Sequence, residues 1–596
     1  MSVAFEDPVA ALKDFLRRSE CIKAFDLART EVARDPENVP LRHGGVLALA
    51  RMGALEQAQR MYEAWGLDAV TDNEDVLALK GRLLKDAALQ RDGEERRRAL
   101  QEAAAAYRRS FEATGGYFSA INVASLSHLA GEAEAARRWA QTAARLADGE
   151  ESYYAHATMA EAAILLGGTD TALSHLQQAV VMQGAGLDAR ATTRRQLLML
   201  LGGDAAAQRI LAPLEPPAVA HYCGHRLSPE EPGARFPPSR EAAVAGAIRD
   251  LVAAQDIRFA AGSLASGADI LFAEAVLDHG GSLDVVLPFD EAEFVEVSVR
   301  PDGQTWVERF RRCIARADDV HFVTTGAYLG HDALFGYASH FALGLACLRS
   351  ASLDAPLHQI AVWDGVPAAA GAVAGTAADV AMGRRMGLTQ HIVAPGGSSP
   401  PARASAEAGG SGQRHRRTMV FGDLKGFSKL QDAQIPPYVD GVLGAIARVL
   451  DRHDAHLVFR NTWGDGLFLV FDDVASAADC AFALQRAMAG LDWEGIGLPG
   501  GMGLRLGMHY GPVFERIDHV LGRTNVFGEH VSRAARVEPI TPEGAVYATD
   551  ATAAALAVDA RSRFRCEYVG RLPLAKGYGE FRMYAVSNLH NEGDDA

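Results

Sequence analysis

The segment from Pro395 to Arg417 most constrains how this chain can fold. It is dominated by Pro, Gly, Ser and Ala and contains no large apolar side chain, so it cannot contribute to a hydrophobic core. We therefore predict a flexible linker over residues 395–417, whose basic end (Arg414, Arg416 and Arg417) is a solvated flank. The chain has 596 residues, against ~150 for a typical single domain. Several domains are therefore expected, with one of them following the linker.

Composition excludes several classes of protein. The 59 Lys and Arg residues against 75 Asp and Glu give a net charge of −16, which argues against a nucleic-acid binder because such proteins need a basic surface. A hydrophobic content of 48% and a charged content of 22% are those of a globular protein. No apolar run reaches the ~18 residues that a membrane span needs.

Two further features concern the cellular compartment. The N-terminal residues have neither a basic region nor an apolar core, so no signal peptide is expected. The six cysteines include no CxxC pair, which argues against a disulfide framework or a zinc site. Together these features predict a cytoplasmic protein.

Residues 1–214 have the pattern of an all-α domain. Ala, Leu, Arg and Glu dominate, and apolar residues recur at helical spacing. Amphipathic helices are predicted at Arg98–Ala113, Ile121–Ala130 and Glu132–Leu146.

A repeated Gly–Ala spacing runs through this segment. In Gly53–Ala58, Gly131–Ala136 and Gly167–Ala172 a Gly stands five residues before an Ala at the head of a helix. The Gly frees the turn and the small Ala lets paired helices approach. The pattern resembles a tetratricopeptide array with irregular units, and a generic helical bundle is the alternative. Either fold predicts a domain that binds a protein partner or places the other domains.

Residues 218–394 change to short apolar strands that alternate with helices, which predicts an α/β domain with a parallel sheet. The predicted strands are Ile257–Ala260, Leu283–Leu287, Asp319–Thr324 and Gln359–Trp363.

Glycines follow the strands of this middle segment. Gly-rich turns between a strand and a helix let backbone N–H groups hold a phosphate, although the spacing is neither GxGxxG nor a Walker A loop. The segment resembles the SLOG superfamily of Rossmann-like nucleotide-binding domains. That resemblance implies a nucleotide ligand, and the alternatives are an enzyme acting on a nucleotide and a purely structural domain. The candidate ligand contacts are Gly262, Ser263, Gly267, Asp269, Gly375 and Thr376, and His225 is either a contact or a structural histidine.

Two aspartates mark the segment 418–590. Asp423 ends an apolar strand, and Asp465 lies in the tight turn of a predicted hairpin within His456–Phe471. Each alone is consistent with a turn-capping residue. If the hairpin pairs beside the first strand, the two carboxylates converge, which suits Mg²⁺ or Mn²⁺ bound together with a polyphosphate.

Three more motifs follow in order. Leu504–Val513 is a strand ending in Gly511-Pro512, Asn525–Arg536 is a turn feeding a helix, and Leu574–Gly577 precedes a final strand. The five motifs in this order resemble the catalytic domain of class III nucleotidyl cyclases (adenylate and guanylate cyclases). The resemblance implies an α+β, ferredoxin-like domain.

The resemblance also implies roles for individual residues. Asp423 and Asp465 match the aspartates that bind two metal ions, Arg536 matches the arginine that stabilises the transition state, and Lys576 matches the lysine that holds the terminal phosphates. The implied reaction is attack of the ribose 3′-hydroxyl on the α-phosphate with loss of pyrophosphate. In this family two cyclase domains share each site, and this chain has one such domain, so a homodimer is implied.

Three positions depart from the family. Asn461 and Asn525 replace the residues that read the base, and Ser532 replaces the Asn beside the transition-state Arg. An Asn side chain both donates and accepts hydrogen bonds, so these positions do not determine which base the substrate carries. The alternatives to an adenylate or guanylate cyclase are an antiviral-type pyrimidine cyclase, making cyclic CMP or cyclic UMP, and a degenerate nucleotide-binding scaffold.

The sequence therefore predicts a cytoplasmic signalling enzyme in three parts: an all-α repeat, an α/β sensor and a cyclase. We expect the first two parts to gate the cyclase by altered proximity, because a flexible linker transmits strain poorly. In a further alternative the middle domain consumes a nucleotide and the cyclase domain only senses it.

Overall fold

The structure, a computed structural model, describes residues 5–589 except 232–233, 325, 327, 331, 368–372 and 397–412. Most of the predicted linker thus lies outside the described residues. The chain divides into two compact units. One contains residues 1–216 with 352–355 and 567–570, and the other contains the remainder.

The first unit is built from α-helices, and most helices that follow one another in the sequence pack together. They are α1 (Pro8–Arg17), α2 (Cys21–Val32), α3 (Val39–Arg51), α4 (Leu55–Ala64), α5 (Glu74–Ala88), α6 (Gly93–Thr114), α7 (Tyr117–Leu129), α8 (Ala133–Ala147), α9 (Tyr153–Leu166), α10 (Thr169–Ala179), α11 (Leu187–Leu201) and α12 (Ala205–Leu211).

The repeated Gly–Ala spacing has a direct structural cause. Gly53, Gly131 and Gly167 lie in turns between helices with φ of 77°, 82° and 89°, a conformation that favours glycine. The alanines five residues later, Ala58, Ala136 and Ala172, are at most 2% exposed. The predicted association of a turn glycine with a buried alanine is confirmed.

Residues 218–393 form an α/β domain, which lies in the second unit except for residues 352–355. Its elements are β1 (Ala218–Gly224), α13 (Glu241–Ala254), β2 (Ile257–Gly262), α14 (Ala268–Asp278), β3 (Ser282–Leu287), α15 (Glu291–Ser298), α16 (Gln304–Arg316), β4 (Asp319–Phe322), α17 (Ala333–Leu353), β5 (Leu357–Val362), α18 (Thr376–Arg385) and β6 (Thr389–Val393). The six strands are parallel in the order β4-β3-β2-β1-β5-β6. The strand order changes direction between β1 and β5: β2 to β4 lie on one side of β1, and β5 and β6 lie on the other. In α/β sheets a ligand-binding crevice commonly lies at such a point.

The C-terminal part of the second unit is an α+β domain. Its elements are β7 (His415–Leu424), α19 (Ile435–Pro437), a π-helical turn (Tyr438–Leu443), α20 (Gly444–Arg452), β8 (Leu457–Trp463), β9 (Gly466–Phe471), α21 (Val474–Ala489), β10 (Leu504–Asp518), β11 (Arg523–Phe527), α22 (Glu529–Ala534), β12 (Val546–Thr549), α23 (Asp550–Asp559), β13 (Phe564–Pro573) and β14 (Glu580–Asn588). The strand order is β13-β14-β12-β10-β7-β9-β8, with β11 paired to β10.

Two strands are longer than the sequence predicts. β7 begins at His415, so Arg416 and Arg417 lie in a strand and not in a solvated linker. They pair with Pro512 and Gly511, so β10 continues through these residues to Asp518 instead of ending there. β7 and β10 extend because each strand supplies the backbone hydrogen-bonding partners of the other. The apolar periodicity of one segment cannot show where such a partner strand lies.

The α/β and α+β domains pack directly on each other within the second unit. The Tyr337 hydroxyl on α17 donates to the Tyr510 carbonyl at 2.8 Å. The two domains share an apolar cluster formed by Leu343, Cys347, Met382 and Val558. Contact between them therefore does not depend on the linker.

None of the helices in the described part of the chain is long and apolar enough to span a membrane.

Candidate active site

The strand register brings the two aspartates together. Asp423, near the end of β7, pairs with Gly466, the first residue of β9. Asp465 precedes Gly466 in the two-residue turn that joins β8 to β9, where Gly464 has a φ of +63°. Burial raises the pKa of Asp465, and the charge of Asp423 raises it further. The predicted hairpin and the predicted convergence of the two carboxylates are both present.

Two further charged residues, Arg505 and Glu538, lie beside the aspartates. Arg505 on β10 lies directly across from Asp423 in the sheet and forms an ion pair with it. Arg505 Nη2 also lies 3.0 Å from Glu538 Oε1. Burial raises the pKa of Glu538 to about 7, and the two aspartates add to the shift. Arg505 therefore fixes the orientation of the Asp423 carboxylate.

The turn that carries Asp465 is held by a buried tyrosine. The Tyr438 hydroxyl donates to the Gly464 carbonyl at 3.0 Å. Burial raises the pKa of Tyr438 to about 12, and Asp465 and Asp423 contribute to the increase. Because the phenol stays protonated, it can hold the turn across the physiological pH range.

The sequence alone did not single out Arg505, Glu538 or Tyr438. Arg505 lies within a predicted strand, and it becomes significant only when the register places it opposite Asp423.

The residues matched to transition-state and phosphate roles form a second group. Ser532 lies exposed on α22, and Arg536 is half-buried just after this helix. Lys576 is exposed in the turn between β13 and β14, with a φ of +61°. Tyr578, two residues later, donates to the Glu529 carbonyl at 3.2 Å and so ties this turn to the start of α22.

The two aspartates make no direct polar contact with the residues matched to transition-state and phosphate roles. Among the described residues, no hydrogen bond or ion pair links Arg536, Ser532 or Lys576 to Asp423 or Asp465.

The two asparagines at the base-reading positions lie on strands. Asn461 is on β8. Asn525 is on β11, and not in a turn as its motif predicts, because residues 523–527 pair with β10. Arg523, two residues before Asn525, donates to Asn461 Oδ1 at 3.1 Å. Arg523 was also absent from the sequence-based candidates.

The candidate ligand residues of the α/β domain lie at the carboxyl ends of its strands. His225 Nε2 lies 3.2 Å from Asp364 Oδ1, and Thr376 Oγ1 lies 3.4 Å from His225 Nδ1. Burial favours a higher pKa for Asp364, but hydrogen bonds from Arg235 and the charge of His225 outweigh it and lower the pKa. His225 is thus a buried residue with polar partners on both ring nitrogens.

The glycines after the strands have packing roles. A Cβ on Gly267, whose φ is +95°, would lie 2.7 Å from the Leu227 backbone nitrogen. A Cβ on Gly262 would lie 2.6 Å from the Tyr222 ring. The Ser263 carbonyl accepts a hydrogen bond from the Tyr222 hydroxyl at 2.8 Å. Gly375 is the N-cap residue of α18. Nucleotide binding here stays a prediction.

Asp269 gives this domain a testable pH dependence. Burial raises its pKa from 3.8 to about 7, so between these values the folded state keeps a proton that the unfolded state has lost. Stability therefore falls as the pH rises from about 4 to 7. We expect Asp269→Asn to raise the melting temperature at pH 8, with a difference that vanishes near pH 4.

The control for this prediction is Asp278→Asn on the same helix, since Asp278 is exposed and pairs with Arg316 at 2.8 Å. Thermal melting at both pH values measures the effect. Equal melting temperatures for Asp269→Asn and the parent at pH 8 would contradict the prediction.

Two segments of the chain match models of known protein families. Residues 411–588 match the family model of the adenylate and guanylate cyclase catalytic domain. Residues 19–127 match the tetratricopeptide repeats-sensor family. The chain thus combines a tetratricopeptide-type N-terminal region with a C-terminal class III cyclase domain.

Solved structures with similarity to this chain include three cyclases. The adenylyl cyclase CyaB from P. aeruginosa is 18% identical, with 29% of this chain and 95% of that chain covered and a TM-score of 0.27. The guanylate cyclase domain of RhGC from Catenaria anguillulae, in complex with GTP, is 18% identical, with coverages of 29% and 97% and a TM-score of 0.26. An adenylate cyclase from Trypanosoma brucei is 20% identical, with coverages of 30% and 89% and a TM-score of 0.26. No curated protein matches the chain. The family assignment therefore rests on the family models.

The carboxylates of Asp423 and Asp465 are a suitable donor set for the divalent ions that cyclases use. Hard cations such as Mg²⁺ and Mn²⁺ prefer carboxylate oxygens. Burial raises the pKa of Asp465 and the charge of Asp423 raises it further, and a bound cation would favour the ionised form of both carboxylates.

Proposed function

We propose that this protein converts a nucleoside triphosphate into a 3′,5′-cyclic nucleotide and pyrophosphate, in a homodimer whose two cyclase domains share each active site. The convergence of Asp423 and Asp465 at the end of β7 carries this proposal. The homodimer follows from the resemblance to the cyclase family, in which two catalytic domains share each site and each chain supplies one group to it.

The chain's own residues then have distinct tasks. Asp423 and Asp465 would hold two Mg²⁺ or Mn²⁺ ions. Arg505 pairs with the Asp423 carboxylate, and Tyr438 holds the turn that carries Asp465. When bound, the metal ions would supply Lewis acidity that lowers the pKa of the ribose 3′-hydroxyl and offsets the charge of the phosphates. From the other chain, Lys576 holds the terminal phosphates and Arg536 offsets the charge that develops on the α-phosphate. Ser532 donates a single hydrogen bond to the same region.

Incubation of the purified full-length protein with ATP, GTP, CTP and UTP in turn, with Mn²⁺ or Mg²⁺, tests the reaction. Mass spectrometry should detect a 3′,5′-cyclic product and pyrophosphate. Absence of any cyclic product, in a protein that is folded and dimeric, would favour the nucleotide-binding scaffold.

We further propose that the α/β domain regulates the cyclase through α17. Ser339 on this helix hydrogen-bonds the buried Asp379 at the candidate ligand site. Tyr337 and His340 on the same helix contact the cyclase domain: the Tyr337 ring lies 5.7 Å from the ring of His530 on α22, and His340 lies 3.1 Å from Asp559. A ligand that moved α17 would therefore move the helix that leads to Arg536. This proposal adds a route through direct packing to the gating by altered proximity that the sequence predicts.

Gly344→Ala tests this contact. A Cβ at Gly344 would lie 2.5 Å from the Ala554 carbonyl oxygen on α23, so α17 must shift away from the cyclase domain. Because small displacements of catalytic groups are costly, we expect turnover to fall about 10- to 100-fold. Gly246→Ala on α13 is the control, because the nearest atom, Arg249 Nη2, is 3.9 Å away. Unchanged turnover in folded Gly344→Ala protein would contradict regulation through α17.

A further inference from the structure

Three side chains with metal-binding atoms meet on two neighbouring strands of the α/β domain. Asp284 on β3 lies directly across from Asp319 on β4 in the parallel register. His321 follows Asp319 by two residues, so these two side chains lie on the same face of β4. One carboxylate oxygen of each aspartate and one ring nitrogen of His321 all lie within 4.8 Å of one another. Among the described residues, no other three histidine, cysteine, aspartate or glutamate side chains converge in this way.

The cluster is separate from the other candidate sites of the chain. Asp319 is the first residue of β4, whereas the candidate nucleotide contacts of this domain lie at the carboxyl ends of the strands. The cluster also shares no residue with the Asp423–Asp465 pair of the cyclase domain. A ligand of these three side chains would therefore be additional to the ions of the cyclase reaction.

The imidazole of His321 has an unused ring nitrogen. Its Nε2 atom is shielded from solvent and forms no hydrogen bond in the part of the chain that the structure describes. The Phe341 ring on α17 packs edge-on against the imidazole, with the ring centres 5.5 Å apart. A buried polar atom without a partner costs free energy. A metal ion bound by the two carboxylates would provide that partner.

Arg582 holds one of the two carboxylates. It lies on β14 of the cyclase domain, and its guanidinium forms an ion pair with Asp319. An ionised carboxylate has two oxygens, so Asp319 can accept from Arg582 and still bind an ion. Carboxylates that bind metal ions are themselves usually hydrogen-bonded to an outer group. Arg582 therefore orients Asp319 and connects the cluster to the cyclase domain.

The donor atoms determine the class of ion. Carboxylate oxygens alone suit Mg²⁺ and Ca²⁺, whereas an imidazole nitrogen favours Zn²⁺ and other ions of the first transition series. Three protein ligands and one water molecule would complete a four-coordinate site. We propose that Asp284, Asp319 and His321 bind one divalent transition-metal ion, such as Zn²⁺, where the α/β domain contacts β14 of the cyclase domain.

Zinc binding to the full-length chain tests this proposal. The cyclase aspartates would also bind ions, so the titration uses the Asp423→Asn, Asp465→Asn double variant without nucleotide. Equilibrium dialysis with elemental analysis should detect bound Zn²⁺, and Zn²⁺ should raise the melting temperature because it binds the folded state. The charges of Arg349 and Arg582 also act on Asp284. Absence of bound Zn²⁺ would overturn the proposal and would show that these arginines already neutralise the two aspartates.

Single substitutions in the same double variant identify the ligands. His321→Gln removes the imidazole, and Asp284→Asn removes one carboxylate at constant size. We expect each to weaken Zn²⁺ binding by more than about a hundredfold, since loss of an outer hydrogen bond alone costs about 10- to 100-fold. Circular dichroism checks that each variant is folded. Parent-like affinity in folded His321→Gln or Asp284→Asn protein would overturn the proposed ligands.

His279→Gln is the matched control. His279 lies in the same domain, and its Nε2 is 3.4 Å from Asp256 Oδ1, but this pair lacks a third ligand. Its replacement should leave Zn²⁺ binding unchanged, and loss of the ion there would overturn the assignment. Co²⁺ provides a test that needs no substitution in the cluster. The intense visible absorption of a four-coordinate Co²⁺ site is expected and should disappear when Zn²⁺ is added, whereas a weak six-coordinate spectrum would contradict the proposed site.

Discussion

Replacement of Asp465 by Asn should lower the rate of cyclic nucleotide formation by about a thousandfold, because a metal ion that stabilises transition-state charge contributes several kcal/mol. The change keeps the size of the side chain and removes its charge. The turn itself should survive, since the Tyr438 hydroxyl binds the Gly464 carbonyl and not the Asp465 side chain. Turnover with Mn²⁺ measures the effect.

Asp472→Asn is the matched control for this prediction. Asp472 follows β9 in the same hairpin, is partly exposed and pairs with His456 at 2.9 Å, so its replacement should leave turnover within twofold of the parent, roughly the effect expected of an exposed ion pair. Full activity of Asp465→Asn would mean that the two aspartates do not carry the reaction.

Gly507→Ala should have the largest effect on stability. Gly507 lies in β10 between β7 and β12, and a Cβ there would lie 2.5 Å from the backbone nitrogen of Glu538 and 2.9 Å from its Cα. Backbone atoms cannot rotate away as a side chain can, so the strand or the segment after α22 must move. We expect destabilisation of the cyclase domain by about 3 kcal/mol, together with loss of turnover as Glu538 and Arg536 are displaced.

Thermal melting and limited proteolysis of the cyclase domain within the full chain measure this effect. Gly500→Ala is the control in the same domain, because the nearest atom to its Cβ, Glu494 Oε1, is 3.9 Å away. Equal melting temperatures for Gly507→Ala and the parent would contradict the prediction. They would show that the backbone at Glu538 can move away from the new Cβ at little cost.

The direct packing of the α/β domain on the cyclase domain supports the proposed regulation through α17. A linker dominated by Gly, Pro and Ser suggests domains that move independently. A shared apolar cluster and the Tyr337–Tyr510 hydrogen bond instead provide a continuous path between the domains. A conformational change in α17 can therefore reach α22 without passing through residues 397–412.

The sequence was sufficient wherever the information is local. Helices such as α6, α7 and α8 follow from apolar spacing, and the turn glycines Gly53, Gly131 and Gly167 follow from the need for a positive φ. The hairpin with Asp465 at its tip is also local, since two apolar strands flank one short turn. The order of the motifs was enough for the cyclase domain, which the family model confirms.

Only the tertiary structure decided the features that depend on pairing between distant segments. The register of β7 and β10 places Arg505 opposite Asp423 and extends both strands past their expected ends. The pairing of β10 with β11 places Asn525 in a strand. A sequence lists the donors and acceptors of an asparagine without saying which one faces outward. Contact with Arg523 and Asp518 fixes that choice, because one neighbour can only donate and the other can only accept.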